Sequence, residues 1–112
     1  MTDQEKAEII IDEVCDYLKV QPVEIKRADR RRELVEARHF SMRYIRKYTS
    51  MSLSSIGELF RKDHCSVMHG IKNAGALIDW NGYSGADIVM RSRIENKLDG
   101  VSLKWCEKIC QY

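Results

Sequence analysis

Residues 54–74, SSIGELFRKDHCSVMHGIKNA, contain an acid, two histidines and a cysteine within one nine-residue stretch, KDHCSVMHG. Two kinds of site concentrate such side chains. One is a catalytic or metal-binding cluster, in which the side chains converge on one point. The other is the first turn of a DNA-binding helix, whose N-terminal side chains meet base edges in the major groove. The spacing of these residues and the rest of the chain distinguish the two.

The spacing disfavours a metal or catalytic site. His64 and His69 are five residues apart, so on a helix their side chains diverge by roughly 140°. Cys65 and His69 have the i, i+4 spacing of two ligands, but the second close pair of a structural zinc site is missing. A thiol and an adjacent histidine diverge by about 100° on a helix and rarely form a hydrogen bond, so activation of the thiol is not expected. The chain has no GxSxG elbow and no GxxxxGK(S/T) loop, so we expect no catalytic residue, metal or cofactor.

The same stretch has the layout of a helix-turn-helix. Ser52 is placed to cap a short helix over 53–60, and residues 61 and 62 form a tight connection. Asp63 is placed to cap the next helix, over about 64–78, by accepting from backbone N–H groups near Cys65 or Ser66. The sequence leaves two roles open for Asp63, a helix cap alone or a cap that also accepts from a cytosine amino group.

Helical spacing dominates the remaining chain and predicts an all-α domain. Residues 81–85 (NGYSG) have the composition of a loop. One further predicted helix starts near Thr2 or Asp3, and a short helical piece lies within 20–25. The other predicted helices cover about 32–48, 86–98 and 102–110. On the 32–48 helix, the side chains expected on the outer face are Arg38, His39, Arg43 and Arg46.

The length and composition of the chain are typical of a single small domain. The chain has 112 residues, of which 44% are hydrophobic and 32% charged, as is usual for a soluble globular protein. The longest apolar run, Ile9–Ile11, is far too short to cross a membrane, and the acidic start MTDQEKAE is unlike a secretory signal. The four cysteines form no CxxC pair, so reduced thiols in a cytoplasm are expected.

The net charge of +2 hides a segregation of charge along the chain. Residues 1–25 carry seven acids against two bases, whereas residues 26–48 carry nine bases against three acids. A basic block between an acidic arm and a nearly neutral remainder indicates either an anionic partner met by one face or a solvated helix surface. Charge alone does not separate these two interpretations.

Residues 35–72, VEARHFSMRYIRKYTSMSLSSIGELFRKDHCSVMHGIK, resemble the C-terminal DNA-binding domain (domain IV) of the bacterial replication initiator DnaA. After a basic run, the matching elements are Ala-Arg-x-x-x-Met at 37–42, Ser-Leu-x-x-Ile-Gly at 52–57 and Asp-His-(Ser/Thr)-(Ser/Thr)-Val-x-His at 63–69. The resemblance extends over residues 8–79. It implies an all-α helix-turn-helix fold of the DnaA and Trp-repressor type, here with extra C-terminal helices. It also implies sequence-specific binding of a monomer to double-stranded DNA at a DnaA-box-like site.

The resemblance assigns DNA contacts residue by residue. Arg30 aligns best with an arginine of the basic loop that enters the minor groove. Leu53 and Ser54 fall where the first helix of the motif approaches the DNA. The base-reading positions in the major groove fall on Asp63, His64, Cys65 and Met68. The positions expected to hold or approach phosphates are Arg32, Arg38, His39, Arg46, Lys62, Ser66 and Lys72.

Several positions depart from the family pattern. Cys65 stands where Thr or Ser is usual, so a weak S–H donor replaces a hydroxyl. Ser54 replaces a common proline, and the turn at 60–62 lacks the usual Gly-Gly. Gly70 lies inside the second helix, where glycine costs about 1 kcal/mol relative to alanine. These departures bear on which site is preferred more than on binding itself.

Together these features predict a stand-alone cytoplasmic DNA-binding domain, bacterial or phage-encoded, that regulates replication initiation or transcription by occupying its site. No segment resembles the family's ATPase domain, and no enzymatic activity is expected. Residues 1–79 are the predicted DnaA-like domain, and residues 80–112 a helical extension packed on it. The alternative is a protein–protein interaction module that docks a partner through the acidic first helix or the C-terminal segment. The aromatic residues available to that segment are Trp80, Tyr83, Trp105 and Tyr112.

Overall fold

The computed structural model describes residues 2–27, 30–80 and 84–98. Within these ranges every regular element is a helix and none is a strand, which confirms the predicted all-α class. In the same ranges no helix is both long enough and apolar enough to cross a bilayer. The described helices are α1 (Asp3–Leu18), α2 (Pro22–Ile25), α3 (Arg32–Tyr48), α4 (Leu53–Phe60), α5 (His64–Trp80) and α6 (Ser84–Leu98).

Local capping signals set the helix ends that the sequence predicted. At the start of α1, the Glu5 N–H donates to Thr2 Oγ1 at 3.2 Å. At the start of α4, the Ser55 N–H donates to Ser52 Oγ at 3.1 Å. Each cap satisfies a backbone donor that has no partner within its helix. The predicted bounds of α3 and α4 are confirmed.

Two boundaries differ from the prediction. α5 continues past Ile78 to Trp80, and α6 begins at Ser84, inside the predicted 81–85 loop. Packing explains the early start of α6, because most helical stability in proteins comes from burying one face rather than from local propensity. Residues 81–83 and the predicted helix at 102–110 lie outside the described residues.

α3 is the central helix of the core, packing on α1 and on α5. Its Phe40 and Tyr44 are fully buried, and their ring centroids lie 6.2 Å apart in a stacked arrangement. Each large apolar side chain buried in this way contributes about 1.5–3 kcal/mol to the free energy of unfolding. The largest fully buried partners from the other helices are Ile10, Ile11, Ile25, Ile56, Phe60, Met90 and Ile94.

α6 packs against α1 and is also bonded to α3. Its Met90 and Ile94 are fully buried in the common core. The Tyr44 hydroxyl of α3 donates to Asp87 Oδ1 at 2.5 Å, and burial together with this bond raises the pKa of Tyr44. The predicted packing of the full C-terminal extension stays a prediction, because residues 99–112 lie outside the described ranges.

The turn between α4 and α5, residues 61–63, depends on a close backbone contact. The Lys62 N–H donates to the Gly57 carbonyl at 2.8 Å, and Arg61 adopts the left-handed conformation with φ 56°. The Lys62 carbonyl lies so near Gly57 that a Cβ atom built there would be 2.3 Å from its oxygen. No side chain fits at that distance, so α5 leaves α4 in this direction only if residue 57 is glycine.

Gly57→Ala is expected to destabilise the domain by about 1–3 kcal/mol, because the added methyl group pushes the Lys62 carbonyl and the start of α5 away. Gly85→Ala is the matched control, since a Cβ atom there meets nothing within 4 Å and lies in helix α6. That change should leave the stability unchanged or raise it. Urea unfolding followed by circular dichroism measures both. A Gly57→Ala protein as stable as the parent would contradict the close contact.

Candidate nucleic-acid interface

Asp63 caps the start of α5 and remains exposed. Its Oδ1 accepts from the Ser66 N–H at 2.8 Å, so the predicted cap is confirmed. The bond to Ser66 lowers the pKa of the Asp63 carboxyl, which is therefore ionised at neutral pH. A carboxylate has about four lone-pair sites, and capping uses few of them. The cap thus leaves acceptor capacity for a second partner.

Three exposed side chains continue the edge that Asp63 begins. His64 and Cys65 are exposed in the first turn, with His64 Nε2 3.6 Å from Cys65 Sγ. Met68 lies one turn further and is 43% exposed, whereas the neighbouring Val67 is fully buried in the core. α5 therefore presents an acceptor, an imidazole, a thiol and an apolar thioether on one edge. The structure brings the four predicted base-reading residues of α5 together at this edge.

A cleft of about 280 Å³ opens between α3, the start of α5 and the loop before α3. His69 also lines this cleft, although the sequence suggested no DNA contact for it, only a possible metal ligand and the last residue of the 63–69 signature. The i, i+3 spacing of Ser66 and His69 on one helix face was the signal that would have found it. The predicted DNA-contacting residues that line the cleft are Arg30, Arg38, His39, Lys62 and Ser66.

Arg38 is not on the outer face of α3, contrary to the prediction. The residue is only 4% exposed, and its guanidinium donates to the carbonyl groups of Ile25 and Arg27, both at 2.8 Å. α2 packs on α3, and the bond that Arg38 makes to the Ile25 carbonyl is buried, whereas its bond to the Arg27 carbonyl is part-buried. The planar guanidinium offers several fixed N–H donors and serves both carbonyls. Arg38 therefore positions the basic loop instead of standing exposed for a phosphate.

The wall of the cleft contains a close contact between α3 and α5. Gly70 is buried there, and a Cβ atom built on it would lie 2.8 Å from Met42 Sδ and 2.9 Å from His39 Cδ2. From the sequence alone, the only predicted effect of Gly70 is to weaken the helix in which it lies. The structure shows that its missing side chain makes room for Met42 and His39. Burial, with Arg38 second, lowers the pKa of His39, so its ring is uncharged near pH 7.

The other predicted positioning residues lie outside the cleft. Arg46 donates to the Met51 carbonyl at 2.8 Å and thereby holds the segment that leads into α4. Arg32 is exposed, and its Nε donates to Glu36 at 3.2 Å in an i, i+4 pair, which contributes about 0.3–0.5 kcal/mol. The remaining predicted positions are the half-buried Leu53 and the exposed Ser54 and Lys72.

The cysteines of the described residues differ in environment. Cys15 is buried, and burial, reinforced by Asp12, raises the pKa of its thiol to about 12, which makes it unreactive. Cys65 is exposed. Within the described ranges no group of three or more His, Cys, Asp or Glu side chains is placed to hold a metal ion. Cys106 and Cys110 lie outside these ranges.

Comparisons with known proteins point to one family. A family model described as the bacterial dnaA protein helix-turn-helix matches residues 7–73. A chromosomal replication initiator protein DnaA from Gloeobacter violaceus is 43% identical over 65 residues, which cover 57% of this chain and 15% of that protein. The protein of that name from a Picosynechococcus species is 37% identical over 75 residues, covering 66% of this chain and 17% of its own. The chain thus spans less than a fifth of these relatives. No solved structure matches it.

Arg38→Lys is expected to destabilise the domain by about 1–3 kcal/mol, because one ammonium group leaves a buried carbonyl of Ile25 or Arg27 without its donor. Arg32→Lys is the control with the same chemical change at a side chain that is 82% exposed, and it should shift stability by less than about 0.5 kcal/mol. Thermal unfolding of the three proteins measures the difference. Equal effects of the two substitutions would contradict the positioning role of Arg38.

Proposed function

The chain belongs to the family of the bacterial DnaA helix-turn-helix, and we propose that it binds a short duplex DNA site sequence-specifically, with the start of α5 in the major groove. The observation that carries this proposal is the exposed edge of α5, from Asp63 to Met68, directly beside a cleft lined by cations. A base-reading edge and a phosphate-binding surface must adjoin in this way, because base edges and backbone lie side by side along a groove.

Each group on the exposed edge suits a feature of the major groove. The free lone pairs of Asp63 accept from a cytosine N4 amino group, and His64 donates to guanine or to a phosphate. Cys65 and Met68 are apolar enough to lie against a thymine methyl group, and the exposure of Met68 is then explained by contact with DNA. An exposed carboxylate facing phosphates is unfavourable unless a base amino group pairs with it.

The basic side chains supply the contacts to the backbone. Lys62 and Ser66 line the cleft next to the exposed edge, where they meet phosphates on one side of the major groove. Arg30 is exposed on the loop that Arg38 holds, and it reaches the neighbouring minor groove. Each phosphate neutralised in this way makes the logarithm of the affinity fall by about 0.9 for each decade of salt.

The biological role follows from the relatives as part of the same proposal. The relatives are named chromosomal replication initiator proteins. By analogy, the proposed role of the chain is to act at DnaA-type sites in replication initiation, or else in transcription regulation. It does so by occupying the site as a monomer, in the cytoplasm of a bacterium or as a phage-encoded protein, and without catalysing a reaction.

Fluorescence anisotropy tests the proposal with a duplex that carries a DnaA-type box and a scrambled duplex, each at two salt concentrations. We expect the box to be preferred by roughly tenfold or more, since each good base contact discriminates by about that factor. The preference should persist at the higher salt, because base contacts release few counterions whereas phosphate contacts release many.

Asp63→Asn is the variant that separates base reading from capping. Asparagine caps a helix as well as aspartate does, so the fold is kept while an acceptor-only group becomes an amide. We expect the preference for the box to fall and the affinity for the scrambled duplex to stay or rise. An unchanged preference would contradict base reading by Asp63. Absence of binding to either duplex would contradict the proposed function and favour the interaction-module alternative, for which α6 exposes Ile88 and Val89.

A further inference from the structure

The His39 ring forms part of the wall of the cleft between α3 and α5. It is half-buried, and its Cδ2 edge packs against α5 at Gly70. No described residue forms a hydrogen bond to its ring nitrogens, and the described residues leave no buried side-chain nitrogen or oxygen without a partner. The ring nitrogens of His39 therefore reach the open space of the cleft.

The surroundings of His39 are predominantly positive. Arg38 and Lys62 oppose a positive charge on the ring, whereas Glu36 favours one, and burial acts in the same direction as the two cations. Burial is the largest of these effects, and together they lower the pKa of His39. The charged and titratable groups that face the ring or share its cleft are Arg30, Glu36, Arg38, Lys62 and His69.

The family resemblance already places His39 at a position expected to approach a phosphate. Beyond that, we infer that His39 gains a proton when a DNA phosphate enters the cleft, so that the domain binds its site more tightly as the pH falls. This inference rests on the proposed function and adds a proton-linked contact to it. The phosphate brings the negative charge that favours imidazolium over imidazole, and it accepts a hydrogen bond from the ring. The proton comes from the buffer, and no covalent bond forms or breaks.

The direction of the pH dependence follows from linkage. His39 has a higher pKa in the complex than in the free protein, so its contribution to binding is complete below the free-state pKa and is lost as the pH rises through the bound-state pKa. The free-state pKa lies below its usual value of 6.5, which places the window between slightly acid and neutral pH. From about pH 8 to about pH 6 we expect the affinity to rise by about tenfold, within the limit of tenfold per pH unit for one proton.

The chain has three histidines, which differ in their location on the helices and in their burial. His64 is exposed in the first turn of α5, on the base-reading edge, and His69 is exposed at the cleft. Of the three, His39 alone is half-buried. Glutamine keeps a polar amide and does not titrate, so replacing each histidine in turn by glutamine isolates the one that gains the proton.

Isothermal titration calorimetry of the full chain with the box duplex tests the inference in PIPES and in Tris at one pH near neutrality. The two buffers differ in ionisation enthalpy, so the difference in observed binding enthalpy gives the number of protons taken up. We expect about half a proton or more for the parent and for the control His69→Gln. His39→Gln should take up none and should lose the rise in affinity at low pH.

The outcomes separate this inference from the proposed function. Equal proton uptake by the parent and His39→Gln, or a buffer-independent enthalpy with intact binding, would overturn the inference and leave the function standing. Absence of binding to any duplex would overturn both. NMR titration of the His39 ring in the free and DNA-bound parent needs no variant, and it should show a higher pKa in the complex. An unchanged pKa would contradict the inference.

Discussion

The close approach of the Lys62 carbonyl to Gly57 is the contact on which the rest of the arrangement depends. It fixes the direction in which α5 leaves α4, because the three-residue turn has no slack to absorb a side chain at residue 57. With α5 held in that direction, Val67 turns into the core and Met68 stays exposed. The second close contact, at Gly70, then brings α5 onto α3 and forms the cleft. Two glycines thus align the exposed edge with the basic residues.

Arg38 connects this arrangement to the basic loop. Burying a guanidinium costs desolvation free energy, and here its bonds to the Ile25 and Arg27 carbonyls offset that cost. The basic block at 26–48 is therefore not a uniform solvated surface. Part of its charge is structural, and part, such as Arg30, is exposed where the proposed DNA would pass. This division explains how so many bases are accommodated within one short stretch.

Local signals allowed most of the fold to be predicted from the sequence. The caps at Thr2, Ser52 and Asp63 act within three residues, so the starts of α1, α4 and α5 are visible in the sequence. Spacing was less reliable inside KDHCSVMHG, because His64 Nε2 lies 3.6 Å from Cys65 Sγ although the side chains of adjacent helical residues were expected to diverge. The expectation that this stretch binds no metal stays a prediction.

The features that the sequence did not reveal depend on contacts between distant segments. Arg38 has the helical spacing of an outer-face residue, and only the fold of α2 over α3 shows that it is buried. Gly70 appears unfavourable until Met42 and His39 of α3 are seen against it. The early start of α6 accompanies burial of its Met90 and Ile94 in the common core, which the composition of residues 81–85 does not reveal. Helical periodicity describes one element at a time, whereas these three outcomes are set by pairs of elements.

The central claim is that the start of α5 and the cleft beside it form one DNA-binding face. Mapping of backbone amide NMR signals during titration with the box duplex tests it most directly. The account predicts that the largest shifts occur at residues 62–69 and at Arg30 and His39, with little change at Ile88 and Val89 on the exposed face of α6. Shifts concentrated on α6, with residues 62–69 unchanged, would contradict it.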